Sequence, residues 1–211
     1  MSHSIDNDSY DEYTLVFLLK QKKEEAFRTL IRYYHTRLFR IAYGITLDRE
    51  ESLDIVQEVF LKVFQNIDTF REESKLSTWL YRITINLCLN WQRKWKRKFR
   101  WHHQSLERDD VDTYRQLGTD EYHPETIYEK KEFEQKFRQT LKKLPEEARV
   151  ILVLKEVEGL SYDAIAKNLN IKKGTVSSRL FYARKMLRKS LKQYLKEEEK
   201  KKGENDETQE I

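Results

Sequence analysis

The chain has 211 residues, 41 basic against 36 acidic, a formal net charge of +5, and only five Gly, two Pro and one Cys. Such a length allows one medium domain or two small ones, and so few Gly and Pro disfavour a turn-rich all-β fold and suit helices. The lone Cys88 excludes an internal disulfide and a cysteine-based zinc site, and no apolar run nears membrane-spanning length, so no membrane insertion is expected.

Apolar residues form two clusters, roughly 13–92 and 127–195, which predicts an all-α chain of two small helical domains joined by a flexible linker. Residues 1–10 are polar and expected to be disordered, and the opening MSHSIDNDSYDEY lacks a signal-peptide apolar segment, pointing to a cytoplasmic protein. Between Tyr13 and Leu47, apolar positions recur at three and four on both sides of KQKKEE, which predicts two helices. Asp48 is placed to cap a third, whose apolar stripe runs through Leu53, Val56, Val59 or Phe60, Val63 and Ile67.

On the opposite strip of that helix, Asp54, Gln57 and Glu58 lie three and four apart and point outward. After the loop DTFREESKL, Ser77 is expected to cap a fourth helix with Leu80, Ile83, Leu87 and Trp91 as its core face. Arg82, Asn86, Asn90 and Arg93 share another face, so amides able to pair with bases lie among phosphate-binding cations. With the loop around Phe70, that face suits the grip of a separated DNA strand. The first domain is set at 11–97.

Six Lys or Arg crowd WQRKWKRKFRWHH (91–103), while ERDDVDTYRQLGTDE (107–121) carries six acidic residues against two Arg. Periodicity fades from about 98 to 126, the expected linker, and helix resumes at 125–144. Pro145 fits the first helical position of the next helix, and Gly159 its C-cap. Ser161 then caps a short helix with Ile165 and Leu169 inward, the chain breaks near Asn170, and Val176, Leu180, Ala183 and Leu187 line the inside of a second helix. This second domain spans 127–195, and the charged tail 196–211 is expected to be disordered.

The outer face of the second helix carries Lys172, Lys173, Thr175, Ser177, Ser178, Arg179, Phe181, Tyr182 and Arg184. Hydroxyls and cations at such a helix start suit entry into the major groove, where phosphates meet cations and base edges meet short donors and acceptors. An αα-hairpin with a solvated basic face would leave the same apolar pattern.

The blocks DIVQEVFLKVFQNIDTF, STWLYRITINLCLN and LKKLPEEARVILVLKEVEGLSYDAIAKNLNIKKGTVSSRLFYARKML resemble the extracytoplasmic-function (ECF) subfamily of bacterial RNA polymerase sigma factors, over roughly residues 13–98 and 127–192. The resemblance implies a non-enzymatic subunit that binds core polymerase, recognises promoter DNA and helps melt it. It implies that Asp54, Gln57 and Glu58 meet the clamp coiled coil of the polymerase's largest subunit. Asn86 would recognise the −10 element, with the loop from Asp68 to Phe70 forming a pocket for a flipped base, and the helix pair would read the −35 element. The linker would thread toward the polymerase active site, its acidic Asp109, Asp110 and Asp112 matching a basic channel. An anti-sigma factor, often membrane-anchored, would hold the protein inactive. Ser177 and Tyr182 depart from the basic residues common at these family positions.

Two other readings stand beside this one. A stand-alone DNA-binding regulator explains the helix pair but leaves the Asp54 strip and the Asn86 face without a task. A helical nuclease needs paired carboxylates or a His cluster on one face; His102, His103 and His123 lack carboxylates at a set spacing, so no metal, other cofactor or small-molecule substrate is expected.

Overall fold

The structure, a computed structural model, describes residues 10–99 and 124–207. Its helices, in chain order, are α1 (Glu12–Lys20), α2 (Glu24–Thr46), α3 (Arg49–Asn66), a 3-10 turn (Ile67–Thr69), α4 (Leu76–Phe99), α5 (Pro124–Lys143), α6 (Glu146–Glu156), α7 (Tyr162–Leu169) and α8 (Lys173–Glu207). No strand occurs among the described residues. Two compact units result, one built on α1–α4 and the other on α5–α8.

In the first unit α2 packs on α3 and α4, α3 packs on α4, and α1 lies along α2 and the 3-10 turn. Leu19, Leu30, Leu38, Ile41, Ile45, Ile67, Leu76, Leu80 and Ile85 are fully buried at its centre. Capping sets the helix starts. Asp11 accepts from the Thr14 N–H at 2.7 Å, which lowers the Asp11 pKa, and Asp48 accepts from the Glu51 N–H at 3.0 Å. Beside Asp48, the buried Ser52 hydroxyl bonds the Asp48 carbonyl and lies 2.9 Å from the Thr46 hydroxyl, so two polar side chains sit in the core without unmet partners.

α4 departs from the sequence expectation in two respects. It begins at Leu76, one residue ahead of Ser77, because Glu12 of α1 accepts from the Leu76 N–H at 2.7 Å and caps the helix from a distant element. Its core stripe is also turned: Leu76, Leu80, Tyr81, Thr84, Ile85, Cys88 and Gln92 are buried, whereas Ile83, Leu87 and Trp91 are only half-buried. Two polar residues can occupy that stripe because each meets a backbone carbonyl. Thr84 donates to Leu80 O at 2.9 Å and Gln92 to Ile45 O at 2.9 Å. On α3 the same kind of turn leaves Leu53 half-buried and puts Ser52, Ile55, Val56, Val59 and Val63 inside.

Cys88 lies at the centre of this unit, and burial pushes its thiol from the ordinary 9.0 up to about 12. The fold favours the neutral thiol, so this contribution to stability is complete below 9.0 and is lost as the pH climbs toward about 12. Iodoacetamide at pH 8 is expected to leave Cys88 unmodified in the native protein and to alkylate it in urea; native modification at the rate of a free thiol would show that the core around the middle of α4 opens.

In the second unit α5 and α6 both pack on α8 around Ile151, Leu154, Ile165, Val176, Leu180 and Ala183. Pro145 is the cap of α6 and not its first helical residue, with Arg149 N–H bonded to its carbonyl at 3.0 Å. Val157 ends α6, and Gly159 lies two residues on at φ +65°, a left-handed conformation that lets the Leu160 N–H return to Leu154 O at 3.1 Å. Ser161 caps α7 as expected, accepting from the Ala164 N–H at 3.1 Å, and Asn170 turns the chain at φ +52° before α8. α8 continues through Glu207, so 196–207 are helical where a disordered tail is expected; Lys and Glu without proline are good helix formers even in a fully polar segment. The linker expected at 98–126 falls mostly outside the described residues, together with Asp109, Asp110, Asp112, His102, His103 and His123.

Candidate nucleic-acid and polymerase interface

The surface of α3 follows from its packing. With Ile55, Val56, Val59 and Val63 turned inward, Asp54, Gln57 and Glu58 are all exposed on the outer strip, and Glu58 pairs with Lys62 one turn on at 3.4 Å. An exposed pair of this kind is weak, so its carboxylate remains available to a stronger cationic partner.

α4 presents Asn86, Asn90 and Arg93 to solvent, with Arg82 half-buried along the same face. Arg93 donates to the Asn90 carboxamide oxygen at 3.1 Å, which orients that amide beside a cation. Lys94, Lys96 and Arg97 are also exposed, so the end of the helix offers cations around a stack of Trp91 on Trp95 at 5.6 Å. Cations and amides on one helix can meet phosphates and base edges in a single encounter.

The loop between α3 and α4 divides its two assigned residues. Asp68 is exposed, whereas Phe70 is only 5% exposed and packs against Trp79 with centroids 5.2 Å apart. Phe70 therefore forms the floor under this loop, with its ring packed on Trp79. The physical reason is ordinary: an aromatic between two helices gains more from burial than from solvent.

In the second unit, Lys172, Lys173, Ser177, Ser178, Phe181, Tyr182 and Arg184 are exposed, and Thr175 and Arg179 are half-buried beside the core stripe. Phe181 is 70% exposed, so its ring is not part of the core. Lys173 pairs with Asp163 of α7 at 2.8 Å, and Ser178 donates to Thr175 O at 3.1 Å. Arg184 binds Glu156 of α6 through both Nε at 2.9 Å and a terminal nitrogen at 2.6 Å, and that hydrogen bond raises its pKa further. Tyr162 joins Ser177, Phe181, Arg184, Lys185 and Arg188 along one groove. Tyr162 and Glu156 were not singled out from the sequence; the position of Tyr162 directly after the cap Ser161 is the signal that could have found it.

Among the described residues no cluster of His, Cys, Asp or Glu could hold a metal, and no helix is long and apolar enough to cross a membrane.

Two family models match the chain: Sigma-70 region 2 over residues 30–98 and Sigma-70, region 4 over residues 134–187. The chain is 33% identical to the ECF RNA polymerase sigma factor SigW of Bacillus subtilis over 82% of its own length and 93% of that protein. It is 34% identical to the ECF RNA polymerase sigma-E factor of Haemophilus influenzae, covering 83% and 93%, and 33% identical to the RNA polymerase sigma-H factor of Pseudomonas aeruginosa, covering 87% and 95%. Two solved structures share the fold. CnrH in complex with the cytosolic domain of CnrY has a TM-score of 0.62 at 20% identity, covering 86% of this chain and 97% of that one. The sigma factor RpoE of Bartonella quintana, in complex with the anti-sigma factor NepR, has a TM-score of 0.63 at 23% identity, covering 79% and 96%. With both regions matched in order and relatives aligned along nearly their whole length, the chain belongs to the ECF RNA polymerase sigma factors and acts as an alternative sigma factor in transcription initiation.

Proposed function

We propose that the two units divide promoter recognition between them. A first domain at 11–97 binds core polymerase and the −10 element, a linker at 98–126 connects it, and a second domain at 127–195 reads the −35 element. Asp54, Gln57 and Glu58 meet a basic surface of the polymerase. Asn86 and Asn90 take base edges as the strand separates, Asp68 lines the base pocket over the Phe70 floor, and Arg82 and Arg93 hold phosphates. On α8, Ser178, Phe181 and Tyr182 read bases, while Lys173, Thr175, Ser177, Arg179 and Arg184, with Lys172 just before the helix, engage the backbone. The observation that supports this most directly is the exposed amide pair Asn86 and Asn90 set among cations on α4. The protein carries out no bond chemistry of its own: melting is driven by exchanging base stacking for pocket contacts.

The reading extends to location and partner. A sigma factor works where the polymerase is, in the cytoplasm. A solved relative of the same fold is held by an anti-sigma factor, and an inhibitor covering the same faces, at the inner face of the membrane or free, would regulate this chain.

In vitro transcription with core polymerase and a pool of genomic fragments tests the reading. New transcript starts that share a two-part upstream motif are expected; a shift of duplex DNA without polymerase and no new starts would favour a stand-alone regulator. Substituting Ser178 or Phe181 is expected to change preference at the −35 element by about 1–3 kcal/mol per altered base contact. Binding of a randomised −35 library by the variants measures it, and an unchanged preference would place base reading elsewhere.

A further inference from the structure

The loop that joins α3 to α4 is held from outside by a segment of chain that precedes the matched region 2, which starts at residue 30. The ties fall at its entry, middle and exit. At the entry, the Lys22 ammonium donates to Phe64 O at 2.5 Å, pairs with Asp68 Oδ2 at 3.2 Å and lies over the Phe64 ring at 5.1 Å. In the middle, Lys20 pairs with Glu72 at 2.6 Å. At the exit, Glu12 accepts from the Leu76 N–H at 2.7 Å.

Backbone conformation singles out two of these residues. Lys22 has φ +57° and Glu72 has φ +59°, the left-handed region where glycine would sit without strain. Each of these turns carries a charged side chain where glycine would relax the backbone, and each of those side chains reaches across to the other segment. Strain retained at such positions is characteristic of segments held in place for a purpose. α1 itself is fixed by burial of Leu15, Val16 and Leu19, so the ties start from a rigid element.

We propose that α1 and the turn after it form a strap that positions the loop Ile67–Lys75, with Glu12, Lys20 and Lys22 as positioning residues that set discrimination at the −10 element. This rests on the assignment of that loop to the −10 base. The strap contacts no DNA in this scheme. It fixes the Asp68 carboxylate through Oδ2 and sets the height of the loop over the Phe70 floor, so its loss loosens base reading without removing a base contact.

The experiment compares opening rates of the full-length protein with core polymerase on a promoter with the matched −10 base and on one with that base replaced. The ratio of the two cancels any general change in attraction for DNA. Lys22→Gly removes the tie while relaxing the backbone, so it is expected to fold. It and Lys20→Glu should each lower the ratio by about two- to fivefold, the effect of losing one exposed ion pair, with core binding unchanged. Lys20→Glu combined with Glu72→Lys should restore it, which a merely stabilising contact elsewhere in α1 would not require. Asp68→Ala separates the two layers of argument. If it loses discrimination while the Lys22 and Lys20 variants keep the wild-type ratio, the strap is overturned and the loop assignment stands. If Asp68→Ala also keeps the wild-type ratio, both fall.

Discussion

Asn86→Ala is expected to lower promoter opening by about 1–3 kcal/mol, roughly 5- to 150-fold in the open-complex equilibrium, while binding to core polymerase keeps its wild-type affinity. The separation follows from where the side chain lies. Asn86 is exposed on α4, opposite the stripe that contains Leu80, Thr84 and Cys88, so truncating it leaves the core intact. An amide offers a donor and an acceptor to one base edge, and a base that leaves its stack needs such a partner before the exchange becomes favourable. The complementary variant, Asp54→Ala with Gln57→Ala, acts on α3 and should weaken core binding, with opening restored at saturating protein. Fluorescence of a −10 base analogue follows opening, and polymerase titration follows assembly. Equal losses in both assays for either variant would defeat the assignment of separate tasks to α3 and α4.

Salt dependence provides a further discrimination between the roles on α8. Removing a proposed phosphate contact such as Lys172, just before that helix, should weaken binding about equally for all sequences and reduce the salt slope by about one ion, whereas Ser178 or Phe181 should leave the slope in place. Arg184 is a special case because Glu156 already holds its guanidinium at two nitrogens. Its remaining donors, and not the whole fork, are left for the proposed phosphate contact.

Periodicity alone placed the helices, the split into two domains and the outward strip of Asp54, Gln57 and Glu58, because these depend on residues three and four apart. It failed where a distant group decides. The start of α4 depends on Glu12, far back in the sequence, and no local pattern around Ser77 contains that cap. The rotation of its core stripe depends on Thr84 and Gln92 finding carbonyls, which makes polar residues acceptable inside and releases Ile83, Leu87 and Trp91 to the flank. The burial of Phe70 was illegible for the same reason: an aromatic in a loop looks available until Trp79 is seen to cover it. The assignment of tasks came from resemblance, since amides and cations on a helix do not by themselves distinguish a promoter strand from other polyanions.

The buried Arg149 leads to the largest effect expected on stability. It begins the apolar run of α6 and is only 7% exposed, with a terminal nitrogen donating to Lys142 O at 3.2 Å and Leu144 O at 3.3 Å. Both acceptors lie at or just past the end of α5, where carbonyls lack helical partners and the dipole favours a cation. Desolvation lowers the pKa of the guanidinium, and the nearby Glu146 offsets part of that, yet arginine remains charged at any working pH. Arg149→Ala should cost about 3 kcal/mol, because it opens a cavity and strips those carbonyls of their donor. Arg149→Met restores most of the volume but not the donor, and should recover about half of the loss. The probe matters, since Trp79, Trp91, Trp95 and Trp101 all precede α5. Tryptophan fluorescence should therefore keep its wild-type urea midpoint while helical circular dichroism begins to fall at lower urea. A coincident shift of both signals would show that the two units unfold as one, and unchanged signals in both would show that the α5 end needs no buried cation.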